Sequence, residues 1–257
     1  MHLTRFCALP RARALAAILL TVFVAACAAP EDTVTRTVPY AFDEGYGPLE
    51  DGEYVLPHVD TSFTAGVNKR TLVTYAGAEA PGTIVVDPFA KFLFYVLEGG
   101  QAMRYPIAVG REGKGFRGSA TVQVKREWPG WTPTRNMIRS EPEVYAKYAD
   151  GIPGGLRSPL GARALYLYRG GRDTYYRIHG TNDLPSIGHN SSAGCIRLFN
   201  QDIIDLYNRV EPGTVVRVRT LEESEATEGY EMAHRGDSYA PTVADIDAAI
   251  GQQVALN

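Results

Sequence analysis

Between residues 83 and 220 the apolar positions come in short runs, several of them alternating with polar ones. Thr83-Ile84-Val85-Val86-Asp87 and Lys91-Phe92-Leu93-Phe94-Tyr95-Val96-Leu97 read as strands, with Asp87-Pro88 opening the turn between them. Gly99-Gly100 marks a second turn before a run over 103–109. Ala120-Thr121-Val122-Gln123-Val124-Lys125 alternates with a period of two, as a half-buried strand does. Ala164-Leu165-Tyr166-Leu167-Tyr168 and Thr174-Tyr175-Tyr176-Arg177-Ile178 flank Arg169-Gly170-Gly171-Arg172, a hairpin loop, and Thr214-Val215-Val216-Arg217-Val218 closes the series. Frequent turns between short strands predict a mainly β fold, a sandwich or barrel.

A few helices interrupt the strands. Ser140-Glu141-Pro142-Glu143 has the spacing of a capping box, with Tyr145 and Tyr148 on one face of the helix that follows. Asn200 stands where an N-cap would open a helix with Ile203, Leu206, Tyr207 and Val210 as its apolar stripe, ended by Pro212-Gly213. A third helix is expected near the C-terminus, where Val243, Ile246, Ile250 and Val254 share a face. Residues 27–82 are rich in Pro, Gly, Thr and acids, and read as a tether and N-terminal extension.

The chain has 257 residues, 45% apolar and 21% charged, with a net charge of −3. These values exclude a disordered polymer and a polytopic membrane protein, and give no nucleic-acid signature. The charge is placed unevenly: residues 221–257 carry eight acids and one Arg, an acidic tail. At the other end, Arg5, Arg11 and Arg13 precede an apolar run over 14–26. That run is shorter than the roughly 20 residues a membrane span needs and has the length of a signal-peptide core. It ends in Val24-Ala25-Ala26-Cys27, which resembles a bacterial lipobox. The resemblance implies a signal peptide over 1–26, lipid attachment at Cys27 and a periplasmic, membrane-anchored protein; Ala28 in place of Asp favours the outer membrane of a Gram-negative cell. Plain cleavage after Ala26 or Ala29 is the alternative.

Cys7 leaves with such a signal peptide, so Cys195 is the remaining thiol of the body. A lone thiol in an oxidising compartment is either inert and buried or a working nucleophile. The stretch Ile178-His179-Gly180-Thr181-Asn182 precedes Ser191-Ser192-Ala193-Gly194-Cys195-Ile196-Arg197-Leu198. A strand delivers His179 to its end, and an imidazole beside a thiol can take its proton. Gly194 lets main-chain N–H groups turn toward one point, as an oxyanion hole requires, and Arg197 could bind a substrate carboxylate. Trp131, in Trp128-Pro129-Gly130-Trp131-Thr132-Pro133, is either packed in a loop or a wall of a substrate groove. The segment Gly110-Arg111-Glu112-Gly113-Lys114-Gly115-Phe116 lacks the Lys-Ser/Thr ending of a phosphate loop and reads as a basic loop. His179, His189 and Cys195 form an alternative zinc-ligand set.

The block from His179-Gly180-Thr181-Asn182 to Ser192-Ala193-Gly194-Cys195-Ile196-Arg197-Leu198 resembles the signature of the L,D-transpeptidase catalytic domains (YkuD-type, ErfK/YbiS-like). The resemblance extends over roughly 83–219. It takes in Ile84-Val85-Val86-Asp87, Pro159-Leu160-Gly161-Ala162-Arg163 and Pro212-Gly213-Thr214-Val215-Val216, and places a catalytic domain at 83–220. It implies Cys195 as nucleophile, His179 as base and the Gly180 carbonyl as the group that orients His179. Gly194 and Cys195 supply the oxyanion N–H groups, and Arg197 and Ser192 lie in the substrate-binding part of the motif. Ala193 departs from the signature, which has His there. The activity implied is formation of 3–3 cross-links between peptidoglycan stem peptides through a cysteine thioester, with no metal or organic cofactor. Water or a lipoprotein lysine as acceptor, and a non-catalytic wall-binding lipoprotein, are the alternatives.

Overall fold

The computed structural model describes residues 42–110, 116–191 and 195–235. In chain order the strands are β1 (Leu49–Asp51), β2 (Tyr54–Leu56), β3 (Thr71–Thr74), β4 (Ile84–Asp87), β5 (Phe92–Leu97), β6 (Gln101–Pro106) and β7 (Ala108–Gly110). They continue with β8 (Gly118–Glu127), β9 (Arg163–Arg169), β10 (Arg172–Gly180), β11 (Asn190–Ser191), β12 (Ile196–Leu198) and β13 (Val215–Val218). The helices are α1 (Arg135–Ser140), α2 (Pro142–Tyr145), α3 (Asn200–Arg209), α4 (Leu221–Glu228) and α5 (Tyr230–Ala233). β1 and β2 form a small hairpin of their own. The other strands make one sheet in the order β11-β7-β12-β10-β9-β8-β13-β4-β5-β6-β3. The fold is mainly β with a few short helices, as the strand pattern predicts.

One face of this sheet encloses the main core. Ile84, Leu93, Tyr105, Val122, Leu165, Ile178, Ile196 and Val216 come from eight strands and meet Ile203, Leu206 and Val210 of α3. The expected stripe of α3 is therefore the side that fills the sheet, and truncating a residue such as Leu206 to Ala should cost about 2–5 kcal/mol. The β9–β10 hairpin turns through Gly170 and Gly171, at φ 56° and 74°, the pair of left-handed residues that a tight type I′ turn requires. Asp87 does more than begin a turn. Its carboxylate accepts from the N–H groups of Phe89 (3.0 Å) and Ala90 (2.8 Å), from Ser224 of α4 (2.9 Å) and from Arg219 (3.2 Å).

Two expectations need correction. Ser140 does not cap a helix. It ends α1, its hydroxyl bonded back to the Asn136 carbonyl at 2.7 Å, and α2 starts with Pro142 in its first turn and no side-chain cap. Asn200 is not an N-cap either, because Phe199 holds that position and the Asn200 side chain is used elsewhere. Residues 42–82, within the expected N-terminal extension, carry strands of their own. β3 pairs with β6 at the sheet edge, and Tyr46 and Val59 are buried against Phe199. The acidic C-terminal segment also begins folded: Thr220 and Glu223 form a capping box at α4, and Met232 of α5 packs on the back of the sheet. The helix expected over 243–254 lies outside the described residues.

The first turn of α3 carries three buried polar residues, of which Asp202 is wholly enclosed. Tyr46 donates its hydroxyl to Asp202 at 3.0 Å, and Arg70 stands 3.4 Å away. Burial outweighs both and pushes the Asp202 carboxyl up to about 7. In the window between its ordinary value near 3.8 and 7, the folded chain holds a proton that the unfolded chain has lost, so this group's share of stability falls as pH rises. Asp202→Asn is expected to remove that loss. The variant's advantage over the parent in unfolding free energy should grow by about 1.4 kcal/mol per pH unit from about pH 4 to about pH 7. Urea titrations across that range check it; a constant difference between the two proteins would show that Asp202 ionises normally.

Candidate active site

Two parallel strands build the site. β10 and β12 pair with Ile178 beside Ile196, His179 beside Arg197 and Gly180 beside Leu198. Ile178, Ile196 and Leu198 all point into the main core. Side chains alternate along a strand, so His179 and Arg197 lie on the opposite face, and Cys195, two residues before Arg197, continues that face. Cys195 is held between two neighbours. Its carbonyl accepts from Gly110 N at the end of β7 (3.2 Å), and its thiol donates to the Tyr175 carbonyl of β10 (3.6 Å).

That carbonyl is aimed by an irregularity in β10. The register with β9 shifts between Asp173 and Arg177, and Tyr175 lies there at φ 63°, a left-handed conformation rare for a bulky residue. Asp173 fixes the bulge. It accepts from Tyr175 N at 2.8 Å and takes both Arg177 guanidinium nitrogens, at 2.8 and 2.7 Å. Tyr175 itself is 80% exposed.

His179 is buried, and its Nδ1–H donates to the Gly180 carbonyl at 2.6 Å. This bond leaves Nε2 as the basic nitrogen. Burial, and then the charge of Arg197, holds the imidazole down at about 3, against the smaller opposing pull of the Gly180 carbonyl. His179 is therefore neutral at working pH and ready to accept a proton, and a resting imidazolium–thiolate pair is disfavoured. Gly180 must be glycine for a steric reason as well: a Cβ there would run into the Asn200 side-chain oxygen and crowd Ala162 N. Asn200 accepts from Ala162 N at 2.9 Å and donates to the Thr181 carbonyl at 3.3 Å, tying the end of β10 to α3.

Arg197, expected as a carboxylate-binding residue, already pairs with Asp183 at 3.0 Å. Both are largely buried, so this arginine braces the chain between β10 and β12 and supplies part of the field on His179. Trp131 is carried by a separate lobe. It bridges to Ile152 through two backbone bonds (2.9 and 2.7 Å), and its ring packs against Tyr145 and Tyr148. Tyr148, Tyr54 and residues 151–157 line a cleft of about 580 Å³. Asn182, three residues past His179, connects this lobe to the site by donating to the Leu156 and Ser158 carbonyls at 2.8 and 3.2 Å. Ser192, Ala193, Gly194 and Cys27 lie outside the described residues. Among the described residues no three His, Cys, Asp or Glu side chains converge as a metal site would require. Tyr175, Asp183 and Asn200 have no signal in the sequence beyond their residue type, because each acts through a distant partner.

Among the described residues Cys195 is the free thiol, and it stands just before β12, the strand paired with the one that ends in the carbonyl-oriented His179. The family model for the YkuD L,D-transpeptidase catalytic domain matches residues 81–218, and the chain belongs to this family. Among its relatives is the ORF 5 protein of the ATP synthase subunits region of Fuscovulum blasticum, named as a candidate L,D-transpeptidase. It is 38% identical over 52% of this chain and 68% of its own length. The probable L,D-transpeptidase ErfK/SrfK of Escherichia coli is 35% identical over 53% of this chain and 43% of its own, so the chain spans under half the length of that relative. A crystal structure from Brucella melitensis, described as a probable carnitine operon oxidoreductase caia, is 41% identical. It covers 60% of this chain and 95% of its own, with a TM-score of 0.41.

The enclosure of His179 gives two linked expectations. Its Hε1 resonance should not titrate between pH 5 and pH 8, since the proton is taken up only near pH 3. Unfolded, the same imidazole gains a proton near 6.5, so its contribution to stability falls as pH drops from about 6.5 to about 3. His179→Ala should reduce turnover by about 10²–10⁴-fold, with little change for His189→Ala. A normal midpoint near pH 6.5, or the larger loss at His189, would reassign the base.

Proposed function

We propose that the protein is a peptidoglycan L,D-transpeptidase that makes 3–3 cross-links. What supports this reading is a neutral His179 on β10, with Cys195 just before the neighbouring β12, inside a domain of this family. The Cys195 sulfur attacks the carbonyl of the third residue of a tetrapeptide stem, and the thiol proton passes to His179 Nε2. The tetrahedral oxyanion is received by the main-chain N–H groups of Gly194 and Cys195. Collapse breaks the L-to-D peptide bond, and His179 returns the proton to the leaving D-Ala amine. An amine of a second stem then attacks the thioester, gives its proton to His179 and forms the new amide, while the thiol is regenerated. The Gly180 carbonyl keeps Nε2 directed at the sulfur throughout, the part that a carboxylate plays in other triads. Arg197, engaged with Asp183, acts by shape and field. Ser192 and Trp131 remain candidates for contact with the stem. The reaction needs no cofactor.

We place this activity in the periplasm, with the signal peptide over 1–26 removed and Cys27 lipidated. One acyl chain alone binds membranes marginally, so the two or three chains of a lipoprotein make the anchor stable. Two acceptors besides a stem amine use the same thioester: water, giving a carboxypeptidase, and a lipoprotein lysine.

Incubation of the purified protein with disaccharide-tetrapeptides, followed by mass spectrometry, tests the proposal. Cross-linked dimers lacking one D-Ala are expected; tripeptides alone would mean hydrolysis, and unchanged substrate would favour a wall-binding role. Cys195→Ala should abolish product formation with only a modest change in stability, since it removes little volume. Product at the parent rate from that variant would rule Cys195 out as nucleophile. A carbapenem, with its activated amide carbonyl, should add its full mass to the parent protein and not to Cys195→Ala; intact-mass spectra showing no adduct on the folded, reduced parent would count against a thioester-forming thiol.

A further inference from the structure

The back of the sheet, away from α3, carries a cluster of arginines over β4, β5 and β6. Arg217 is matched by Glu79 at 2.7 Å and by Glu223, and Arg219 by Asp87 at 3.2 Å and Glu228 at 2.7 Å. Arg104 and Arg235 differ. Neither has an ion pair among the described residues, although both are partly buried. They converge on one residue: their guanidinium carbons lie 4.4 and 4.6 Å from the ring centre of Phe92, which is fully buried. The two carbons are therefore at most about 9 Å apart, and the Arg104 charge acts on Arg235. Each guanidinium also has an N–H sealed from solvent with no acceptor, Nε of Arg104 and Nη2 of Arg235. The other recorded bond of Arg235 runs from Nε to the Ala90 carbonyl at 2.9 Å.

Such an arrangement is unfavourable by itself. Burial, then the neighbouring Arg104 charge, draws Arg235 down to about 10 against the pull of Asp87, and burial lowers Arg104 against that of Glu228. A buried donor left without a partner costs about 1–3 kcal/mol, and more when it is charged. We propose that Arg104 and Arg235 form a binding site for a phosphate-class oxyanion, either free or carried on a larger molecule. Glu228 acts on Arg104 and Asp87 on Arg235, but both acids are ion-paired to Arg219, so a phosphate oxyanion would add charge that these two arginines do not have to themselves. The planar forks of arginine present paired donors to phosphate oxygens, and the two orphan N–H groups supply bonds that the protein leaves unmade. The site draws on β6 and the segment after α5, and shares no residue with the pair on β10 and β12.

The full chain titrated with inorganic phosphate, by calorimetry and thermal unfolding, should bind saturably and gain midpoint temperature, while chloride at equal ionic strength gives neither. Arg104→Gln and Arg235→Gln should each weaken binding at least tenfold, and Arg104→Lys less than Arg104→Gln. Vesicles containing phosphatidic acid, compared with phosphatidylcholine alone, separate a lipid headgroup from a free ion as the source: saturable binding in either the free-ion or the headgroup arm supports the site. If a variant does not fold, the parent titrations decide. Absence of saturable binding in both arms, or undiminished binding by both folded Gln variants, overturns the proposal.

Discussion

The parallel pairing of β10 with β12 is the constraint on which the site depends. Parallel neighbours cannot be joined by a tight turn; the crossover takes a dozen or more residues. That requirement explains why His179 and Cys195 stand well apart in sequence yet on one face of adjacent strands. The intervening chain is not slack. Asp183 clamps Arg197 on β12, Asn182 reaches the lobe at Leu156, and the His189 carbonyl joins β7 through Val109. A one-residue slip between β10 and β12 would turn Arg197 and Cys195 into the core and expose Ile196 and Leu198, so the apolar register and the catalytic register are the same thing.

Electrostatics then decide what kind of pair results. A carboxylate beside His179 would stabilise the imidazolium and favour a resting ion pair. Here the orienting group is a neutral carbonyl, the ring is enclosed, and the nearest charges, Arg197 and Arg177, are positive. The thiol for its part donates to the Tyr175 carbonyl, an acceptor that stabilises S–H and not S⁻. The imidazole is therefore held neutral before substrate arrives. In the proposed reaction, charge separation is deferred to the moment of attack. The strained bulge at Tyr175 belongs to this arrangement, because the regular strand would point that carbonyl elsewhere.

The strands and the sequence block around the two reacting residues were legible because they rest on local pattern: alternation, Gly-Gly turns and the single body thiol. What was not legible rests on distant partners. Asn200 has the residue type and position of an N-cap, but its side chain serves Ala162 and Thr181, far away in sequence. Ser140 matches a capping box letter for letter, yet the chain had already formed α1 ahead of it. The strand β3 was missed since Thr71–Thr74 is short, and its place at the sheet edge is set by β6 alone. Arg197 looked free for a substrate because nothing local shows that Asp183 folds back onto it.

The polar first turn of α3 completes the scaffold. Phe199 offers no side-chain cap, so the start of this helix is secured by what its own residues hold. Asn200 grips the end of the catalytic strand, and Gln201 donates to the Gly47 and Pro57 carbonyls of the N-terminal segment, at 3.3 and 2.8 Å. Asp202 accepts from Tyr46. Three consecutive residues thus fasten the segment before the sheet and the strand that bears His179 to one point. An apolar turn would bury more surface but could hold neither, and the enclosed Asp202 is the energetic consequence of using that point for both.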